Sequence, residues 1–247
     1  MDRLISLLAD PAAWLAFFTL VVMEVVLGVD NLVFVALVSN KLPEAQRRRG
    51  RTIGLALALV LRLALLTTLV FIVGLTRPVL TIAGRGLSFR DLILLAGGLF
   101  LVWKATQEIH QNVEAGEDGA EDRRGKPIGF VSAIVQILLL DMVFSIDSIL
   151  TAVGMTDHLP IMAAAVIVAV LLMMAASGPI AAFIRKNPSI VMLALGFLLM
   201  IGMALIAEGS GFHVPKGYIY AAMAFSAFVE GLNMLARKRR RGVRNGP

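Results

Sequence analysis

Cysteine is absent from this chain, and histidine nearly so, with three residues in 247. Without thiols there is no disulfide, no thiolate metal centre and no cysteine nucleophile, and three imidazoles leave little for a histidine-rich site. Any metal ion held by this sequence is therefore expected to be held by oxygen. Charge is scarce too: 16% of residues are charged against 58% hydrophobic, and the mean hydropathy is +0.85. Soluble domains carry about 25% charged residues, so the chain reads as a membrane protein. The net charge of +6 does not point to nucleic acid, because the cations sit in short runs between apolar segments and in one tail. Membrane topology and binding to membrane lipid account for that pattern. A basic n-region and a small-residue cleavage site are missing before the first apolar run, so no cleaved signal peptide is expected.

What is present is a succession of long apolar segments. Residues 11–38 hold no Lys or Arg and form span one. As a single helix it would be about 42 Å long against a hydrocarbon core of about 30 Å, so an interruption near Gly28 is expected. The segment Lys41 to Arg51 is basic and reads as a loop. Span two follows at 52–75 and contains Arg62; a connection through Pro78, Gly84 and Gly86 leads to span three at 91–105. From Glu108 to Lys126 the apolar pattern gives way to EAGEDGAEDRRGK, the composition of an exposed linker. Spans four to seven occupy about 128–155, 160–184, 190–207 and 216–236, and a basic tail closes the chain at 237–247.

The fold class expected is all-α, a polytopic membrane protein of seven transmembrane helices. With the N-terminus outside, 17 cations fall on the inner side and five on the outer, with Arg62 within a span. Since Lys and Arg in short loops favour the cytoplasm, the orientation expected is N-terminus out, C-terminus in. One membrane domain is divided into repeat one (11–107), an acidic cytoplasmic linker (108–126), repeat two (127–207), a seventh helix (216–236) and the tail.

The division into repeats rests on MEVVLGVDN, residues 23–31, and LLDMVFSIDS, residues 139–148. A shift of 117 places Asp141 on Glu24, Ser145 on Gly28, Asp147 on Asp30, Ser148 on Asn31 and Leu159-Pro160 on Leu42-Pro43. Four of the 23 pairs from Val21 to Pro43 are identical, and the acids and the Leu-Pro keep their spacing. A repeat of three spans enters the membrane from opposite sides, which makes an inverted pair; such pairs hold substrate at their interface near mid-membrane.

Four carboxylates in apolar spans oppose insertion by roughly 10 to 14 kcal/mol, at roughly 2.5 to 3.5 each. Such groups are expected to face one another, a cavity or a cation; the plain reading is protonated acids that hydrogen-bond between helices. Glu24 and Asp30 lie about 120° apart on a regular helix, so a break near Gly28, and near Ser145 in the second copy, would turn both inward and free carbonyls as ligands. Asp30 and Asp147 would then approach each other. Glu24, Asp30, Asn31, Asp141, Ser145, Asp147 and Ser148 form an oxygen-only set suited to Mn²⁺, Mg²⁺ or Ca²⁺. Met23 and Met142 adjoin the acids and read as packing. Arg62 is either a charge partner that neutralises an acid until a cation displaces it, or a structural residue. Glu230 and Asn233 share a face of span seven and belong either to the pathway or to a subunit contact. Asp91, Glu108 and Glu208 sit at span ends and read as interfacial.

MEVVLGVDNLVFVALVSNKLP, LLDMVFSIDSILTAVGMTDHLP and AEGSGFHVPKGYIYAAMAFS resemble the TerC family of bacterial integral membrane proteins, named for tellurium resistance. The likeness covers 13–236 and is greatest to members whose membrane domain precedes CBS and CorC/HlyC-type domains; no nucleotide-sensing role of those domains is carried over. The family is similar to the LysE exporter superfamily. The resemblance implies export of Mn²⁺ across the bacterial cytoplasmic (inner) membrane, with Glu24, Asp30, Asn31, Asp141 and Asp147 as the acidic and polar set. Mg²⁺ or Ca²⁺ remain alternatives, and no organic cofactor is implied.

The rival reading is a non-transporting scaffold or accessory protein for metal loading of secreted enzymes or for metal and tellurium stress, which brings in the secretion machinery as a partner and leaves a homo-oligomer open. An enzyme is not expected, because neither a GxGD element nor a DGxxAR-type run is present and the acids lack a matched nucleophile.

Overall fold

The computed structural model describes residues 10–68, 78–82, 85–114, 128–156, 158–212 and 214–244. Within these ranges the side chains of Asp30, Asp147, Leu150, Thr151, residues 238–244 and several residues at element ends lie outside the description. Among the described residues the chain forms seven α-helices: α1 Pro11–Asn40, α2 Glu44–Thr67, α3 Phe89–Glu114, α4 Phe130–Met155, α5 Leu159–Lys186, α6 Pro188–Gly209 and α7 Lys216–Arg244. Six of them are long and apolar enough to cross a membrane, and α4 carries a shorter apolar run, Phe130–Ile146. Large apolar side chains such as Leu15, Val60, Val131 and Phe225 point outward, as in helices that meet lipid rather than water.

Local chemistry explains the helix starts. Pro11 occupies the first turn of α1, and the Asp10 carboxylate accepts from Ala12 N–H at 2.9 Å, which satisfies one of the free donors. Leu42-Pro43 and Leu159-Pro160 mark the starts of α2 and α5. At α3, Ser88 and Asp91 form a reciprocal cap: Ser88 N–H and Oγ donate to Asp91 Oδ2 at 2.8 and 2.7 Å, and Asp91 N–H donates to Ser88 Oγ at 3.2 Å.

The structure differs from expectation at several places. Both α1 and α4 are continuous through Gly28 and Ser145, so the expected breaks are absent. Gly28 has another use: a Cβ there would meet Met173 Sδ at 2.5 Å, so its missing side chain lets α5 approach α1. The basic segment after Lys41 is not a loop throughout, because α2 begins at Glu44 and Arg47, Arg48, Arg49 and Arg51 ride on its first turns; Glu, Ala, Gln and Arg are good helix formers. Helix α3 likewise continues to Glu114, into the first residues of the 108–126 linker, and the basic tail is helical to Arg244. Between α2 and α3 lies a two-stranded antiparallel hairpin, β1 Pro78–Ile82 and β2 Arg85–Ser88, an addition to the all-helical expectation. A β-branched run with Pro at its first position suits an edge strand.

Three helix pairs make the bundle. Along α1 and α5, Leu20 shares a cluster with Ile161 and Ala165, Leu32 with Val170 and Met173, and Ala36 with Ala181 and Ile184, so the two helices run parallel. Helices α2 and α4 also run parallel, from Gly54 against Ile137 to Leu66 against Ile149. Helices α3 and α6 cross antiparallel at two glycines: a Cβ at Gly98 would meet Gly202 O at 2.7 Å and Ile206, and one at Gly202 would meet Gly98 O at 3.0 Å and Val102. Helix α7 packs on α6 through a face that includes Ile219, Tyr220 and Met223.

Candidate functional site

The polar residues meet where α1, α2 and α4 face one another. Glu24 and Asn31 are seven residues apart on α1, two turns, and so lie on one stripe of a continuous helix; Asp141, Ser145 and Ser148 do the same on α4. Into the gap comes Arg62 of α2, only 3% exposed. Its Nη1 pairs with Glu24 Oε2, its Nη2 with Asp141 Oδ1 at 2.7 Å, and its Nε donates to Ser145 Oγ at 3.1 Å. Ser145 Oγ donates to Asp141 Oδ2 at 3.2 Å, Asn31 Nδ2 donates to Asp141 Oδ1 at 2.7 Å, and Ser148 Oγ donates to Ser145 O at 3.3 Å.

This network joins residues of both sequence halves. Glu24, Asn31, Asp141, Ser145 and Ser148 are all buried. Two carboxylates against one guanidinium leave a formal charge of −1, and Asn31 Oδ1 is a buried acceptor with no hydrogen-bond partner among the described residues. An unpaired buried acceptor is costly, and a cation is a partner that would satisfy it. Removing one member of a buried ion pair costs about 3–5 kcal/mol because the other is left uncompensated. Arg62 is ion-paired with both carboxylates, an arrangement that serves a displaceable charge partner and a structural lock alike.

Asp30 and Asp147 lie within α1 and α4, and their side chains fall outside the described residues, so the expected approach of one to the other does too. Among the described residues no cluster of three or more His, Cys, Asp or Glu is formed. Glu230 and Asn233 are not brought to the site: among the described residues neither hydrogen-bonds with the Arg62 network, Asn233 is exposed, and Glu230 Oε1 is buried without a partner. Met23 is partly exposed on the outside of the bundle.

The acids at the helix ends are more than interfacial. Glu108 is buried, paired with Lys41 at the end of α1 and with Lys104 one turn back on α3 at 3.0 Å. Glu208 of α6 pairs with Arg90 of α3 at 3.1 Å. The i,i+4 spacing of Lys104 and Glu108 was visible in the sequence; the long-range partners Lys41 and Arg90 were not.

A family model described as "Integral membrane protein TerC family" matches residues 9–245. The chain belongs to the TerC family. Its TerC relatives include the "UPF0053 inner membrane protein YgdQ" of Escherichia coli (strain K12), 52% identical over 96% of this chain and 98% of the relative. The "UPF0053 inner membrane protein YoaE" of the same organism is 48% identical over 94% of this chain, and the "UPF0053 protein YegH" of Shigella flexneri 49% identical over 95%. This TerC chain spans 44% of the length of each of those two. No solved structure matches it.

Proposed function

We propose that this TerC protein is a non-enzymatic exporter of divalent cations in the bacterial inner membrane, with Mn²⁺ as cargo, and that Arg62 occupies the cation's place in the empty state. The observation that carries this reading is the Arg62 guanidinium lying between Glu24 of the first half and Asp141 of the second. A monovalent side chain on a tether binds the two carboxylates in a form that a free divalent ion can replace. When Arg62 swings away, Glu24, Asp141, the Asn31 Oδ1 and the serine hydroxyls are the hard oxygen ligands such ions take, with Asp30 and Asp147 as further candidates. Mg²⁺ and Ca²⁺ are alternative cargoes, and two protons returning per ion is a workable coupling.

Seven alternating spans in two inverted repeats suit the packing. A two-fold axis in the membrane plane turns the α1–α5 pair into α4–α2, both parallel, and relates α3 to α6 as an antiparallel pair. One close approach supports this reading, since Gly98 to Ile206 and Gly202 to Val102 are the same contact under a shift of 104. The distribution of cations favours the N-terminus outside.

The rival, a static scaffold, draws on the same network, because a carboxylate pair closed by arginine also serves as a lock between helices. Uptake of Mn²⁺ into inside-out vesicles decides. Transport that is lost in Glu24→Gln and Asp141→Asn supports export; equal flux with and without the protein rejects it.

A further inference from the structure

Two cavities lie along one seam of the bundle. Helices α1, α2, α4 and α5 pack on one another and α3 packs on α6; the backbones of the two groups approach each other less closely, though their side chains share one core cluster. The first cavity, about 60 Å³, has Leu27 of α1, Phe144 and Ser148 of α4, Ala204 and Glu208 of α6 and Tyr220 of α7 in its wall. The second, about 70 Å³, is bounded by apolar residues of α1 and α6 and by Met223. A water needs about 15 Å³ of such volume, so the first cavity has room for about four waters or a partly hydrated cation.

The two ends of the seam differ in chemistry. The first cavity has polar side chains in its wall. Ser148 stands on the stripe of α4 that carries Asp141, and Glu208 stands near the end of α6, held by Arg90. The second cavity is apolar and lies towards the end of α1, where Lys41 pairs with Glu108 and ties α1 to α3. The first cavity thus offers polar groups that can hold water, and the second offers none.

We propose that the first cavity is the vestibule through which the cation passes between the Arg62 site and the aqueous phase at the C-terminal end of α6, and that Glu208 holds the ion at its mouth. The inference rests on the export reading. Arg90 on Glu208 repeats at the mouth what Arg62 does at the centre: a guanidinium covers a carboxylate that borders the path. The mouth pair is partly exposed, and screened pairs of that kind are weak, so an arriving divalent ion competes for Glu208 easily. The carboxylate also raises the local concentration of cations at the opening.

A chain without cysteine accepts a single reporter thiol, so Ala204→Cys is introduced into the full-length protein in liposomes, alone and with Glu208→Gln. Two methanethiosulfonates of similar size, one cationic and one neutral, are applied from the side on which α6 ends, and Mn²⁺ flux is read in the same vesicles before and after. The result expected is modification from that side, slowed by Mn²⁺, with flux reduced at least tenfold afterwards. With Glu208→Gln the cationic reagent should react about threefold more slowly and the neutral one at the same rate. A thiol that does not react in a transporting protein, or full modification that leaves flux intact, overturns the vestibule alone. Absence of Mn²⁺ flux in the unsubstituted protein overturns the export reading and the vestibule with it.

Discussion

Asn31 and Arg62 donate to the same oxygen: Asn31 Nδ2 and Arg62 Nη2 each lie 2.7 Å from Asp141 Oδ1. One carboxylate oxygen of α4 thus collects a neutral donor from α1 and a charged donor from α2. The neutral one keeps its own carbonyl oxygen free. The pair defines what should happen when either is changed.

Replacing Arg62 by Met removes the only charge compensation seen for Glu24 and Asp141 among the described residues, and is expected to lower stability by about 3–5 kcal/mol. Adding Glu24→Gln and Asp141→Asn should restore part of the loss. Thermal unfolding of the detergent-purified protein measures both. Mn²⁺ should raise the midpoint of Arg62→Met more than that of the unsubstituted protein, because the competing guanidinium is gone. An equal rise in the two proteins would show that Arg62 does not stand in the cation's place.

At Asn31 the substitution matters more than the loss of size. Ser is the residue that the second half carries at the matching position, Ser148, and Asn31→Ser keeps a hydroxyl that can donate to Asp141. Asn31→Leu keeps none and is expected to cost about 1–3 kcal/mol more than Asn31→Ser. Mn²⁺ transport should be retained in the first and lost in the second. Similar melting curves for both would argue against the hydrogen bond.

Gly28 and Gly98 both sit at close helix approaches, yet Ala should be tolerated at only one. At Gly28 the added methyl meets the far end of the flexible Met173 side chain; at Gly98 it meets backbone, Gly202 O at 2.7 Å and Ile206 N at 2.9 Å. Gly98→Ala is therefore expected to destabilise by about 1–3 kcal/mol. In Gly28→Ala a gain of about 1 kcal/mol in helix propensity offsets most of the clash. Unfolding of the two variants side by side checks the order, and trimming Met173 to Ala should leave Gly28→Ala without any clash.

Glu108 holds two lysines, so the loss of either lysine should cost less than the loss of Glu108. Glu108→Gln is expected to destabilise by about 1–3 kcal/mol, and Lys41→Met or Lys104→Met by under about 1 kcal/mol each. Denaturation midpoints of the three variants test this.

The membrane class, the approximate positions of the helices and the choice of polar residues were legible in the sequence, for one physical reason. In hydrocarbon each polar side chain and each charged loop carries a cost, so composition along the chain reports on location directly. Glu24, Asn31, Asp141, Ser145 and Ser148 stood out for that reason and are found together. Helix boundaries were less legible: Glu44 to Arg51, basic and rich in good helix formers, and Glu108 to Glu114 suggested a loop and a linker, but both continue helices past the apolar stretch. The break at Gly28 was inferred from length and angular spacing alone, and packing against Met173 is what that glycine serves.

The sequence by itself determined what had to be buried and what had to stay out of the membrane, because those costs are local. Partners are not local. That Arg62 closes on Glu24 and Asp141, 38 and 79 residues away, that Asn31 donates to Asp141, and that Arg90 holds Glu208 were decided by which helix faces pack together. Those faces are chosen by glycine approaches and apolar contacts spread over six helices, and only the tertiary structure brings them together.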